Sequence, residues 1–335
     1  MKKILFVASE ALPFAVTGGL GDVIGSLPAA LREASAELDV RVILPLYAAI
    51  GPEWREKFEF LGHTTVPLAW REQYCGVFRY EYRGVVFYFL DNEYYFKRSA
   101  VYGEYDDAER FAFFCRAALE VLPMLSFFPD VLHAHDWQAA LSVIYLKRKY
   151  GLMERYADIR TIFTIHNIQY QGEYGMEILG DVFDLSPADS PVVEYRGNVN
   201  LLKGAVVCAD QVTTVSPTYA KEILSPEFSH GLHGILGQNR EKLCGILNGI
   251  DRVYYNPAKD SELPEHYSLR SLEKKALLKQ SLQRELGLPE REDVPLLAMI
   301  TRLVSHKGLD LVTLAAEDLV REELQLVLLG TGDPY

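Results

Sequence analysis

Apolar residues fall into short runs separated by longer amphipathic stretches. Ile4–Ala8, Val40–Leu44, Val86–Leu90, Val131–Ala134, Thr161–Ile165 and Val212–Val215 are short and rich in β-branched or aromatic residues, as strands covered on both faces are. Between them, Arg110–Leu125 and Gln138–Tyr150 repeat their apolar positions at helical spacing. The alternation predicts an α/β fold with a mainly parallel sheet. Aromatic residues crowded around 70–100 predict a local antiparallel excursion. Ser216-Pro217 predicts a capped helix running to Leu224. After Asn256-Pro257 a polar stretch reaches Pro264, and we place a domain boundary just before it, with residues 1–250 as the first domain and 251–335 as a linker and the start of a second. In that second part Ser271–Leu286 predicts a helix stopped by Gly287. Leu296–Ile300 predicts a strand, Leu309–Val320 a helix, and Leu326–Leu329 a strand running into Gly330-Thr331-Gly332-Asp333. One crossover unit is a marginal domain, so we expect a longer natural chain to continue past Tyr335.

Composition adds limits. The 335 residues suit two domains, and 49% hydrophobic with 24% charged residues fits a globular chain rather than a disordered one. A net charge of -12 argues against nucleic acid and anionic membranes as partners, and an anionic ligand would need a few local cations. Stretches long and apolar enough to span a membrane are not expected. Cys75, Cys115, Cys208 and Cys244 are scattered, without CxxC spacing, which fits a reducing, cytoplasmic location. The opening Met-Lys-Lys and apolar run is broken at Ser9-Glu10 and reads as a first strand rather than a leader.

Five polar motifs stand out, four of them after predicted strands. Thr17-Gly18-Gly19-Leu20-Gly21-Asp22 is a glycine turn feeding a helix, fit to present N–H groups to an anion or simply to pack tightly. Gly25 comes one residue too late for a dinucleotide fingerprint, and the second strand ends without a ribose-binding acid, which disfavours NAD. Pro28 should kink or end the first part of that helix. His133-Ala134-His135-Asp136 closes another strand; a metal site is the weaker reading there, and Asp136 as a partner for a sugar hydroxyl or a helix cap the better one. His166-Asn167-Ile168-Gln169-Tyr170-Gln171-Gly172 supplies amides and an aromatic ring suited to sugars. Gly245–Asp251, with Asn248-Gly249, is a turn signal near the domain handover. Arg302 and Lys307 bracket a loop after the strand Leu296–Ile300, where two cations suit a diphosphate.

Taken together and in this order, TGGLGDV at 17–23, DNEYYFKR at 91–98, YDDAERFAFF at 105–114, HAHDWQAAL at 133–141, TIHNIQYQG at 164–172, GILNGID at 245–251 and TRLVSHKGLDL at 301–311 resemble the bacterial glycogen synthase and plant starch synthase family. The resemblance implies a GT-B type glycosyltransferase fold, two Rossmann-like domains facing a cleft, with the second incomplete in this chain. It implies transfer of glucose from ADP-glucose to the non-reducing end of an α-1,4-glucan (glycogen or a maltooligosaccharide) with retention, and no metal or resident cofactor. By motif, Arg302 and Lys307 would neutralise the leaving diphosphate and His166 would hold the donor glucose. Asp136 and Asn167 would line the sugar pocket, Thr17, Gly18, Gly19 and Asp22 would form the donor turn, and Asn248 would support the cleft. Two departures qualify this. Val16 stands where the family usually has a lysine, which leaves UDP-glucose open as the donor. The family's acidic motif is expected after Tyr335, so the 335 residues alone are not expected to turn over. A non-enzymatic glucan-binding module is the rival reading.

Overall fold

A computed structural model describes residues 1–304 and 307–332. Ser305 and His306 of the Arg302 loop, and Asp333 of the terminal glycine motif, lie outside the described residues. The chain divides into two compact units, Met1–Gly249 and Ile250–Tyr335.

The first unit is built on β1 (Lys2–Val7), β2 (Leu38–Pro45), β3 (Glu59–Leu68), β4 (Arg71–Tyr82), β5 (Val85–Asp91), β6 (Val131–His135) and β7 (Arg160–Ile165). Three short strands, β8 (Glu173–Gly175), β9 (Glu194–Tyr195) and β10 (Asn198–Asn200), form a separate small sheet, and β11 (Gln211–Thr214) and β12 (Leu243–Gly245) return to the large one. The large sheet runs β12-β11-β7-β6-β1-β2-β5-β4-β3, parallel from β12 to β5 and antiparallel beyond. β1 is central, with Leu5, Phe6 and Val7 fully buried between two helical layers. The chain winds from β1 to β2 on one side and later from β6 to β7 on the other, so direction reverses between β1 and β6. In open α/β sheets ligands bind at the carboxyl ends of the strands beside such a reversal.

The antiparallel excursion begins at Glu59, earlier than the aromatic crowding suggests, because β3 is a largely exposed edge strand with a single aromatic, Phe60. Trp70, Tyr74 and Tyr94 are exposed, while Phe87, Tyr88, Phe89, Tyr95 and Phe96 are core. Phe14 sits among Trp54, Phe58, Tyr80, Tyr82, Phe87 and Phe89, with centroids 5.0–6.2 Å away, mostly edge-on. The helix Gly19–Ala34 is not ended by Pro28. Pro28 is buried beside Leu20, Val23, Ile24 and Ala29, and burial of about 1.5–3 kcal/mol for each large side chain outweighs the roughly 3 kcal/mol cost of an interior proline.

In the second unit β13 (Leu296–Ile300) and β14 (Gln325–Leu329) pair in parallel, joined by the helix Leu309–Arg321. The helix Lys275–Glu285 precedes them.

Candidate active site

The parallel strands bring the first four motifs to one sheet edge. The glycine turn follows β1, Asp136 follows β6, His166 follows β7, and Asn248 lies three residues past β12. The turn and Asp136 therefore flank the β1/β6 reversal.

Glycines of the turn divide into two kinds. A Cβ at Gly21 would meet Val16 Cγ1 at 2.9 Å, and one at Gly25 would meet the Leu12 carbonyl at 2.6 Å; these two serve packing. A Cβ at Gly18 or Gly19 would meet nothing within 4 Å, so packing does not demand glycine there and room is left for a ligand. The Gly18 N–H, however, is not open to a donor in this structure. It donates to Glu10 Oε2 at 3.1 Å, as does the Thr17 N–H at 2.5 Å, while Thr17 Oγ1 donates to Glu10 Oε1 at 2.7 Å. The buried carboxylate of Glu10 thus holds the two N–H groups that precede the helix. Asp22 lies half-buried in the first turn of the helix.

Asp136 adopts a left-handed backbone, φ 55°, uncommon outside glycine and found at functional sites. Its Oδ1 accepts the His166 N–H at 2.7 Å and the Asn167 N–H at 3.4 Å, tying the ends of β6 and β7 together. Burial pushes its carboxyl up to about 7, against the two N–H groups that favour the anion. His135 Nδ1 and His166 Nε2 share a hydrogen bond of 3.0 Å, and His133 Nε2 bonds Thr164 Oγ1 at 2.6 Å. Burial lowers all three imidazoles, His133 to about 3, His166 to about 4 and His135 well below its ordinary value. The three imidazoles are therefore neutral at neutral pH. Among the described residues no group of three or more candidate ligands is arranged to hold a metal ion.

The loop after β7 is more structural than its composition suggests. Gln171 is buried, donating to the carbonyls of Ile168 (3.1 Å) and His230 (3.0 Å) and accepting from Asn200 Nδ2 at 2.6 Å, so it is not a sugar ligand. Gly172, at φ 65°, lies where a Cβ would meet the Trp137 ring at 2.7 Å. Asn167 is half-buried, its Oδ1 accepting the Gln169 N–H at 2.9 Å. Asn248 is exposed.

In the second unit Arg302 and Lys307 are exposed at the carboxyl end of β13. Backbone bonds from Thr301 N to Leu329 O (3.1 Å) and from Leu303 N to Thr331 O (2.8 Å) pin the Arg302 segment. Gly330 and Gly332 permit this, since a Cβ on either would lie 2.0 Å from a facing carbonyl oxygen.

Sequence reasoning missed Glu10 and Tyr102, and weighed His135 only for the weaker metal reading. Glu10 carries no motif spacing, and its partner Tyr102 lies 92 residues away. His133 and His135 do share a strand face, with rings 4.1 Å apart.

The mainly parallel sheet with its polar carboxyl edge, together with its likeness to a solved starch synthase catalytic domain, makes this a glycosyltransferase of the GT-B type. Residues 3–238 match the starch synthase catalytic domain. The glycogen synthases of Geobacillus thermodenitrificans (strain NG80-2) and Geobacillus stearothermophilus are each 50% identical over 333 residues, 99% of this chain and 68% of theirs. The chain belongs to the glycogen synthase and starch synthase family. The catalytic domain of starch synthase IV from Arabidopsis thaliana, solved with ADP and acarbose, aligns with a TM-score of 0.92 at 33% identity, over 100% of this chain and 69% of that one.

Proposed function

We propose that the site at the carboxyl edge of the large sheet takes ADP-glucose and an α-1,4-glucan, and that glucose passes to the glucan's non-reducing end with retention. The observation that carries this reading is the pair of neutral imidazoles His135 and His166, joined to each other and locked to Asp136, beside a glycine turn with open space. Cleaving a sugar–phosphate bond leaves negative charge on the diphosphate and positive character on the sugar. A neutral imidazole tolerates the second, and fixed cations stabilise the first. His166 holds the donor glucose, with Asp136 and Asn167 in the same pocket. Arg302 and Lys307 meet the diphosphate, Arg302 by its forked donors and Lys307 as a point charge. Thr17, Gly18, Gly19 and Asp22 form the donor turn, with Asn248 supporting the cleft. Residues 1–250 are the acceptor-side domain and 251–335 begin the nucleotide-sugar domain. The ligands found with the Arabidopsis starch synthase IV domain support this assignment.

Glucan elongation and calorimetry in the full-length gene product test it. Arg302→Ala and Lys307→Ala should each cut kcat/KM for ADP-glucose by about 10²–10³ and weaken ADP binding, with maltooligosaccharide affinity unchanged. Turnover indifferent to both substitutions overturns the reading. UDP-glucose outcompeting ADP-glucose would reassign the donor, a point on which Val16 bears directly.

A further inference from the structure

We infer that Glu10 is the positioning residue of the donor turn, and that the segment 91–110 supports it through Tyr102. The inference rests on the reading that the turn receives the donor.

The turn carries Val16, Thr17, Gly18, Gly19 and Leu20, so it offers a ligand no cationic side chain. What it has to offer is backbone N–H groups, whose value depends on aim. Gly19 begins a helix, and the first four N–H groups of a helix have no partner within it. Gly18 at the cap supplies no side chain to fix them. Glu10 instead fixes the two residues that lead into them. Its carboxylate accepts two backbone N–H groups and one hydroxyl from Thr17 and Gly18, immediately before the helix starts. Glu10 is in turn held by the Tyr102 hydroxyl at 2.6 Å, which also bonds Ser9 Oγ at 2.7 Å. Tyr102 is placed by the two motifs that the reaction itself does not use. Arg110, fully buried, donates to the carbonyls of Tyr95 (2.7 Å) and Val101 (3.3 Å) and pairs with Asp107, while Asp107 accepts the Gly103 N–H at 2.8 Å. Tyr95 donates to Glu109 at 2.6 Å and Arg98 pairs with Asp106 at 2.8 Å. Tyr102 thus lies between Val101 and Gly103, two residues whose backbones are clamped.

The geometry separates grip from charge. In Glu10→Gln the amide oxygen can keep both backbone N–H groups, while its NH₂ faces two hydroxyls, those of Thr17 and Tyr102, which can turn round and accept. In Glu10→Ala both are lost. In the full-length gene product, steady-state kinetics should show the donor KM raised about tenfold in Glu10→Ala, and raised less in Tyr102→Phe. Glu10→Gln should recover most of the loss, and the maltooligosaccharide KM should stay unchanged in all three. A merely structural role would instead lower kcat or disturb both substrates alike. Unchanged donor KM in Glu10→Ala, or Glu10→Gln as impaired as Glu10→Ala, overturns the inference. If Glu10→Ala does not fold, an unchanged donor KM in Tyr102→Phe overturns it equally. Donor binding that responds to Arg302→Ala but not to Glu10→Ala sinks Glu10 alone; donor binding indifferent to Arg302→Ala sinks the donor reading itself.

Discussion

At the scale of single residues, Asp136 and His166 are two halves of one pH response with opposite signs. Burial raises the Asp136 carboxyl to about 7, above the value of about 3.9 it has in an unfolded chain. The folded state therefore holds the proton more tightly, and this contribution to stability is full below the unfolded value and is lost as pH rises through about 7. His166 is lowered to about 4 by burial, so its folded state resists the proton, and stability is lost as pH falls below its unfolded value of about 6.5. The wild-type curve sums the two and hides both. Asp136→Asn isolates one, because an amide oxygen can still accept the His166 and Asn167 N–H groups. The stability of Asp136→Asn relative to wild type should grow with pH between about 4 and 7, by at most about 1.4 kcal/mol per pH unit. Urea midpoints at pH 5 and pH 8 measure it, and a difference independent of pH would refute the assignment.

Secondary-structure elements were the most legible level, and the turn shows where legibility stopped. The apolar runs at 4–8, 131–134, 161–165 and 296–300 lie within two residues of observed strands, because buried parallel strands are continuous in composition. Ser216 caps its helix as its chemistry requires, accepting the N–H groups of Thr218 and Tyr219. What the sequence did not disclose were contacts made over long separation, such as Glu10 with Tyr102, and the burial that lets Pro28 persist in a helix. Nor did it disclose which glycines pack and which leave room. The structure divides them, and the division is testable. Gly25→Ala drives a Cβ to 2.6 Å from the rigid Leu12 carbonyl and should cost roughly 1–3 kcal/mol of stability, reversing the usual gain from alanine in a helix. Gly19→Ala meets nothing within 4 Å and should shift stability by less than about 1 kcal/mol, while lowering ADP-glucose affinity. Denaturation midpoints and calorimetry on the same two variants check this, and equal destabilisation of both would show that Gly19 is a packing glycine after all.

On the scale of the whole chain, burial is distributed very unevenly. The fully buried large side chains, among them Phe6, Tyr47, Phe87, Tyr95, Arg110 and Phe113, all belong to Met1–Gly249. Among the described residues of Ile250–Tyr335, Val294 is the one buried apolar side chain, and Gln283 is held by hydrogen bonds to Arg291 O and Gln325 Oε1. Ile300, Leu314 and Leu329 are 75%, 83% and 63% exposed, so β13, β14 and their crossover helix gain little from the burial that stabilises the first unit. Local opening is governed by such burial, and segments with few buried contacts exchange their amides at a small fraction of the global unfolding cost. In the 335-residue chain, hydrogen exchange should therefore separate into two classes. Amides of β1, β6 and β7 should exchange only through global unfolding and follow its denaturant dependence. Those of β13, β14 and Leu309–Arg321 should exchange through local opening, faster and nearly independent of denaturant at low concentration. Residues 1–249 prepared alone should melt in a single cooperative transition, carrying the Glu10 and His166 sites with them. Uniform protection across both units, or a first unit that does not melt cooperatively on its own, would mean that the stability of the candidate site does not reside in the nine-stranded sheet.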